Sequence, residues 1–204
     1  MNQSAFKSRD FFLKACCFEA SLILVALILG WIADINPFAK LFLSEAAILY
    51  GIIGTAPMIV LFHLAELRQE EAFQKIRRLL LETLGPSLHR RHWADLLMLA
   101  AIAGLSEEIL FRGLIQPWLE AVLGMRAGLV GCNVLFGLAH AVTPLYTLLA
   151  FLIGIYLSLS MDYGAERNLL TPVVIHALYD FWAFLALIKA YQLNQTRQKS
   201  GDKP

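Results

Sequence analysis

Six stretches of this 204-residue chain are apolar over roughly the length of a bilayer crossing, and nothing else in the sequence limits its fold as strongly. A span takes about 20 largely apolar residues, each rising about 1.5 Å. The stretches run over about 11–33, 41–64, 93–119, 123–142, 145–161 and 169–191. Apolar residues reach 58% and charged residues only 16%. Soluble domains hold about 45–50% apolar and about 25% charged residues. An intrinsically disordered chain is excluded on that ground. A net charge of +1 gives no basic surface for nucleic acid, and no nucleotide-binding motif stands out. Cys16, Cys17 and Cys132 lie in apolar surroundings and read as buried thiols rather than a disulfide framework. The expected fold is all-α: a polytopic membrane helix bundle of about six transmembrane helices and one amphipathic interfacial helix.

The exception to the apolar pattern lies between the second and third stretches. Leu67, Phe73, Ile76, Leu80 and Leu84 recur there at helical spacing among charges, and Gly85-Pro86 is expected to stop the pattern. Such a helix lies on the membrane surface, or else extends the second span into the cytosol. Orientation follows from Lys and Arg. One side collects Lys7, Arg9, Lys14, Arg68, Lys75, Arg77, Arg78, Arg90, Arg91, Lys189, Arg197, Lys199 and Lys203. The other holds Lys40, Arg126 and Arg167. Both termini are therefore expected in the cytoplasm. The first stretch is too long for a cleavable signal and reads as a retained helix. Residues 1–92 form an N-terminal part, 93–193 a core, and 194–204 a polar tail expected to be disordered, all within one integral membrane domain. The absence of a long transit segment before the first span favours a bacterial plasma membrane.

Ionisable groups inside a bilayer are costly and carry a functional expectation. The third stretch contains Glu107, Glu108 and Arg112. Glu108 and Arg112 are four apart on one helix face and can pair, which leaves Glu107 as the carboxylate for acid–base chemistry. The bland alternative is a structural pair with Glu107 facing water. His140 ends the fourth stretch; His176 and Asp180 share a face of the sixth, a spacing suited to metal ligation or a hydrogen-bonded relay. His63, His89 and His92 flank the basic segment and receive no role. Glu19 and Glu45 are read as interfacial, with support of a site as the alternative.

At these residues the sequence resembles the CPBP intramembrane proteases, which include the CAAX prenyl endopeptidases and the bacteriocin-processing, Abi-type proteins. The family pattern reads here as Glu107-Glu108-x-x-x-Arg112, Phe136-x-x-x-His140 and His176-x-x-x-Asp180. The surrounding runs SEEILFRGLIQ, LFGLAH and TPVVIHALYD match as well, and the likeness covers about 96–182. The resemblance implies a hydrolase in which Glu107 and His140 activate a water while His176 and Asp180 complete the site as oxyanion stabilisers or metal ligands. Glu108 and Arg112 would hold the geometry, with Phe136 packed beside it. The last position is Asn in some members; an ionised Asp cannot donate to an oxyanion, so Asp180 would orient His176 or bind a metal instead.

The implied activity is endopeptidase cleavage of a membrane-associated peptide or protein. No H-E-x-x-H helix is present, and a metal-independent, glutamate-based activation is preferred. A divalent metal such as zinc, held by Glu107, His140, His176 and Asp180, stays open. A proton-coupled transporter or a non-catalytic scaffold of the same fold are the alternatives. Depth poses a difficulty. Counted from Trp93, Glu107 lies about 21 Å along its helix, whereas His140 should lie nearer the cytoplasm and His176 nearer the far side. A break at Gly104-Leu105-Ser106-Glu107, with Ser106 as a cap, is expected to resolve it.

Overall fold

The computed structural model describes residues 3–200. Among them the regular elements are all helical: α1 (Gln3–Ala33), α2 (Glu45–Glu66), α3 (Glu71–Leu88), α4 (Trp93–Glu108), a π-helical segment (Ile109–Ile115), α5 (Gln116–Leu123), α6 (Met125–Ala139), α7 (Pro144–Ser160) and α8 (Leu170–Ser200). No strand occurs among the described residues. Ser8–Ala33, Glu45–Glu66 and Leu170–Gln198 are each long and apolar enough to cross a membrane. Met125–Ala139 and Pro144–Ser160 are apolar but shorter.

The segment 67–70 separates α3 from α2, so α3 is a helix of its own rather than an extension of the second span. Gly85-Pro86 does not stop it. A proline clashes with the carbonyl one turn earlier and cannot donate. Here the helix nevertheless continues to Leu88, and His89 N–H closes it on Gly85 O at 3.1 Å. Gly85 serves packing instead: a Cβ there would collide with the Tyr191 ring of α8. Residues 194–200 were expected to be disordered, yet they continue α8. Asn194-Gln-Thr-Arg-Gln-Lys-Ser200 contains no Gly or Pro, so nothing in it ends a helix. The remainder of that tail, 201–204 with Lys203, lies outside the described residues.

α4 is the central rod. α8 packs along it, α1 on another side, and α2 lies against α8. Small residues set these approaches, as they do wherever helix backbones meet closely in membranes. At Gly104 a Cβ would stand 2.8 Å from Ala177 N, and at Gly54 one would stand 2.8 Å from Ile175 Cδ1. Gly124 has φ +83° and turns α5 back into α6, a conformation that favours glycine. Of the three thiols only Cys132 is buried; Cys17 is exposed, because α1 covers only one of its faces against the rest of the molecule. Glu45 is exposed in the first turn of α2, where the helix dipole favours an acid and Ser44 caps the end.

Candidate active site

The hairpin about Gly124 resolves the depth difficulty. Glu107 lies 17 residues before Gly124 and His140 lies 16 after it. Two antiparallel helices leaving one turn bring such positions level. α6 is 15 residues long, about 22 Å, so its end falls beside the middle of the longer rod. There His140 Nε2 stands 3.6 Å from Glu107 Oε2. The expected break at Gly104–Glu107 does not occur. α4 runs on to Glu108, and Ser106 Oγ donates to Ile102 O at 2.6 Å instead of capping. The irregularity comes later, in the π-helical Ile109–Ile115, whose residues 109–114 are all buried. π turns are rare and concentrate at functional sites.

That segment carries Arg112, whose side chain has no solvent exposure. Its Nη1 donates to Glu108 Oε1 at 3.0 Å, and its Nη2 donates to Asn133 Oδ1 and to Gly154 O, each at 2.9 Å. Nε reaches Ser158 Oγ at 3.4 Å. The guanidinium also lies 4.4 Å from the centre of the Phe136 ring. Buried charges are tolerable when paired and hydrogen-bonded in this way. Glu108 is equally buried and serves two partners, since its Oε1 also stands 2.8 Å from His176 Nδ1. His176 Nε2 faces Asp180 Oδ2 at 3.6 Å. His140 Nδ1 faces Phe136 O at 2.9 Å. A carbonyl only accepts, so Nδ1 carries the proton. The Phe136 ring lies 4.5 Å from His140 and 6.3 Å from His176, centre to centre, so one aromatic side chain touches both imidazoles.

Glu107, Glu108, Arg112, Phe136, His140, His176 and Asp180 thus lie in one chain of contacts across α4, the π segment, α6 and α8. Sequence reasoning missed three further participants. Asn133, Gly154 and Ser158 complete the shell around Arg112. Their signal was a small, polar i,i+4 pair on α7 facing a lone Asn on α6. Glu19 takes the alternative that the sequence leaves open, a place beside the site: a cavity of about 430 Å³ is lined by Glu107 of α4, Asp180 of α8 and Glu19 of α1, with Leu84 and Leu88 of α3 among the apolar walls. The N-terminal part therefore supplies walls to the space beside the motif residues.

The quartet considered for a metal does not fit one as arranged. His176 turns one ring nitrogen to Glu108 and the other to Asp180. Among the described residues no three His, Cys, Asp or Glu side chains are grouped to hold a metal ion.

These features define an integral membrane protein whose helical interior gathers two imidazoles and three carboxylates. Residues 89–182 match the family model described as Type II CAAX prenyl endopeptidase Rce1-like. The match agrees with the likeness that the three motifs carry to the intramembrane proteases. The match holds every motif residue and excludes α1, α2 and α3. No curated protein and no solved structure matches the chain.

Proposed function

We propose that the chain is an intramembrane endopeptidase that hydrolyses a peptide bond in a membrane-associated peptide or protein. One observation carries this reading: Glu107 Oε2 and His140 Nε2 face each other across 3.6 Å beside a cavity. In the tautomer that keeps one proton on Nδ1, against Phe136 O, His140 Nε2 is an acceptor like the carboxylate. A molecule with two O–H donors satisfies both, and a water is the smallest one. Glu107 then takes a proton from that water as hydroxide adds to the scissile carbonyl. The proton passes to the departing amine, from Glu107 directly or through His140. His176 is fixed at Nδ1 by Glu108, and its Nε2 lies 3.6 Å from Asp180, beyond hydrogen-bond reach; as an imidazolium it donates Nε2–H to the oxyanion. Asp180 orients that ring. No step requires a metal.

The same reading takes six helical crossings, with α4, the π segment and α5 as one of them, in a bacterial plasma membrane with both termini cytoplasmic. Residues 93–193 form the catalytic core, and the N-terminal helices shape access to it.

The test compares membranes from cells expressing the wild-type chain or Glu107→Gln at equal level. Gln keeps the shape and cannot act as a base, so cleavage should fall about 10²–10⁴-fold. Peptide termini seen only with the wild type identify the substrate. Identical terminal profiles would refute the protease reading in favour of a scaffold.

A further inference from the structure

Glu19 is the acidic group that the reaction above does not use. It lies on α1, outside the family-matched segment, in a helix otherwise free of charge from Ala15 to Ala33. Its side chain lines the same cavity as Glu107 and Asp180. Its Oε2 is shielded from solvent and accepts no hydrogen bond. A shielded, unpartnered carboxylate oxygen is among the most expensive features a membrane helix can carry. His176 is the nearest source of positive charge, but no side chain donates a hydrogen bond to that oxygen. Arg112 is fully committed to Glu108, Asn133 and Gly154. Lys14, on the same cavity wall, pairs with Asp10 at 2.7 Å and is largely exposed. The remaining walls are apolar. What completes Glu19 therefore comes from a molecule in the cavity, and it must donate hydrogen bonds and preferably carry positive charge.

We propose that Glu19 is a specificity-determining residue that selects substrates carrying a basic side chain beside the scissile bond. The proposal rests on the endopeptidase reading for the word substrate, but not for the binding itself. A Lys or Arg side chain suits the cavity, because its aliphatic stem lies along apolar walls while its charged end reaches a carboxylate. Glu19 would bind, and Glu107 would carry out the chemistry.

Binding and cleavage separate the two readings. The Glu107→Gln protein in nanodiscs would be titrated with short lipid-anchored peptides in which Lys replaces Gln at each position in turn. At one position Lys should bind about 10–100-fold tighter than Gln, the range for a charge-assisted bond. Adding Glu19→Gln should abolish that advantage and leave the all-Gln peptide unaffected. Adding Glu19→Lys should move the preference to Glu at the same position, which also guards against a variant that merely misfolds. A Lys advantage unchanged by Glu19→Gln, or no Lys advantage at any position, would overturn the proposal. Failure of the protease reading appears elsewhere: the Lys peptide would bind as described and yet stay intact with the wild-type protein. If both proposals hold, Glu19→Gln raises KM for the Lys peptide and leaves kcat unchanged, whereas a proton-relay role would lower kcat for every peptide alike.

Discussion

At the scale of single residues, Arg112 decides whether the site exists. It is fully buried and ties the π segment to α6 and α7, while Glu108 joins it to His176 on α8. Replacing Arg112 by Met fills similar space but leaves Glu108 as an uncompensated buried charge. Breaking one side of a buried pair costs about 3–5 kcal/mol. Arg112→Met should therefore lower the thermal unfolding midpoint in detergent sharply. Arg112→Lys should not restore it, because an ammonium cannot reach Glu108, Asn133 and Gly154 in one planar fork. The double variant Glu108→Gln/Arg112→Met should recover part of the stability, since no charge is stranded. It should remain inactive, because His176 has lost its carboxylate partner. Equal stability of the single and double variants would show that Glu108 does not depend on the guanidinium.

The elements show why part of this site was legible in the sequence and part was not. The motif residues were visible because charge in an apolar run is rare, and the i,i+4 spacing of Glu108 and Arg112 foretold their bond. The meeting of Glu107 with His140 is expected from the resemblance, but through a break at Gly104–Glu107 rather than through the hairpin that forms it. The nearly equal spacing of Glu107 and His140 from Gly124 holds the answer. The π turn left no comparable trace, since Ile109–Ile115 reads as an ordinary apolar helix. Glu19 stays ambiguous in the sequence, because its neighbours across the cavity lie far away in the chain. Packing distance between elements is another such quantity, and it yields a prediction. At Gly104 a Cβ would meet the backbone N of Ala177, one residue beyond His176. Gly104→Val should push α8 away from α4 and stretch the Glu108–His176 bond. Misplacement by about 1 Å can cost about 10²-fold in rate. Cleavage of the substrate found by terminal profiling should fall by that order. Ala177→Gly should not rescue it, because the obstructing atom belongs to the backbone. Gly131→Ala should be harmless by comparison, its nearest neighbour being Leu119 Cδ1 at 3.4 Å.

For the whole molecule, the two ends of the bundle differ in a way that fixes how it sits in a membrane. At one end Ser8 Oγ donates to Ser87 O at 2.5 Å, Arg91 Nε reaches Ser8 Oγ at 3.2 Å, and the Tyr191 ring seats against Gly85. The starts of α1 and α4, the end of α3 and the last third of α8 therefore share one end, and Lys7, Arg9, Lys14, Arg90, Arg91, Arg197 and Lys199 lie on or beside these segments. The opposite end joins the loops after α1 and α7. Leu169 N donates to Lys40 O at 2.7 Å, and Asn168 Nδ2 to Phe42 O at 3.0 Å. Arg167 there binds both Glu120 and Asp162. Positive charge is retained on the cytoplasmic side during insertion, so the first end should face the cytoplasm. The cavity, walled by Leu84 and Leu88 of α3 and by the first half of α1, then lies towards that side. A single cysteine at Lys40 or Glu166, in a chain whose three native cysteines are replaced, should react with a membrane-impermeant maleimide in intact cells. One at Gln69, in the exposed turn before α3, should react only after permeabilisation. The reverse pattern would invert the molecule and put the cavity on the outer side, where a cytoplasmic substrate could not reach it. Labelling at all three positions in intact cells would show that α2 does not cross the membrane at all. Only the expected pattern is compatible with both the charge asymmetry and the contacts that hold the ends of α1, α3 and α8 together.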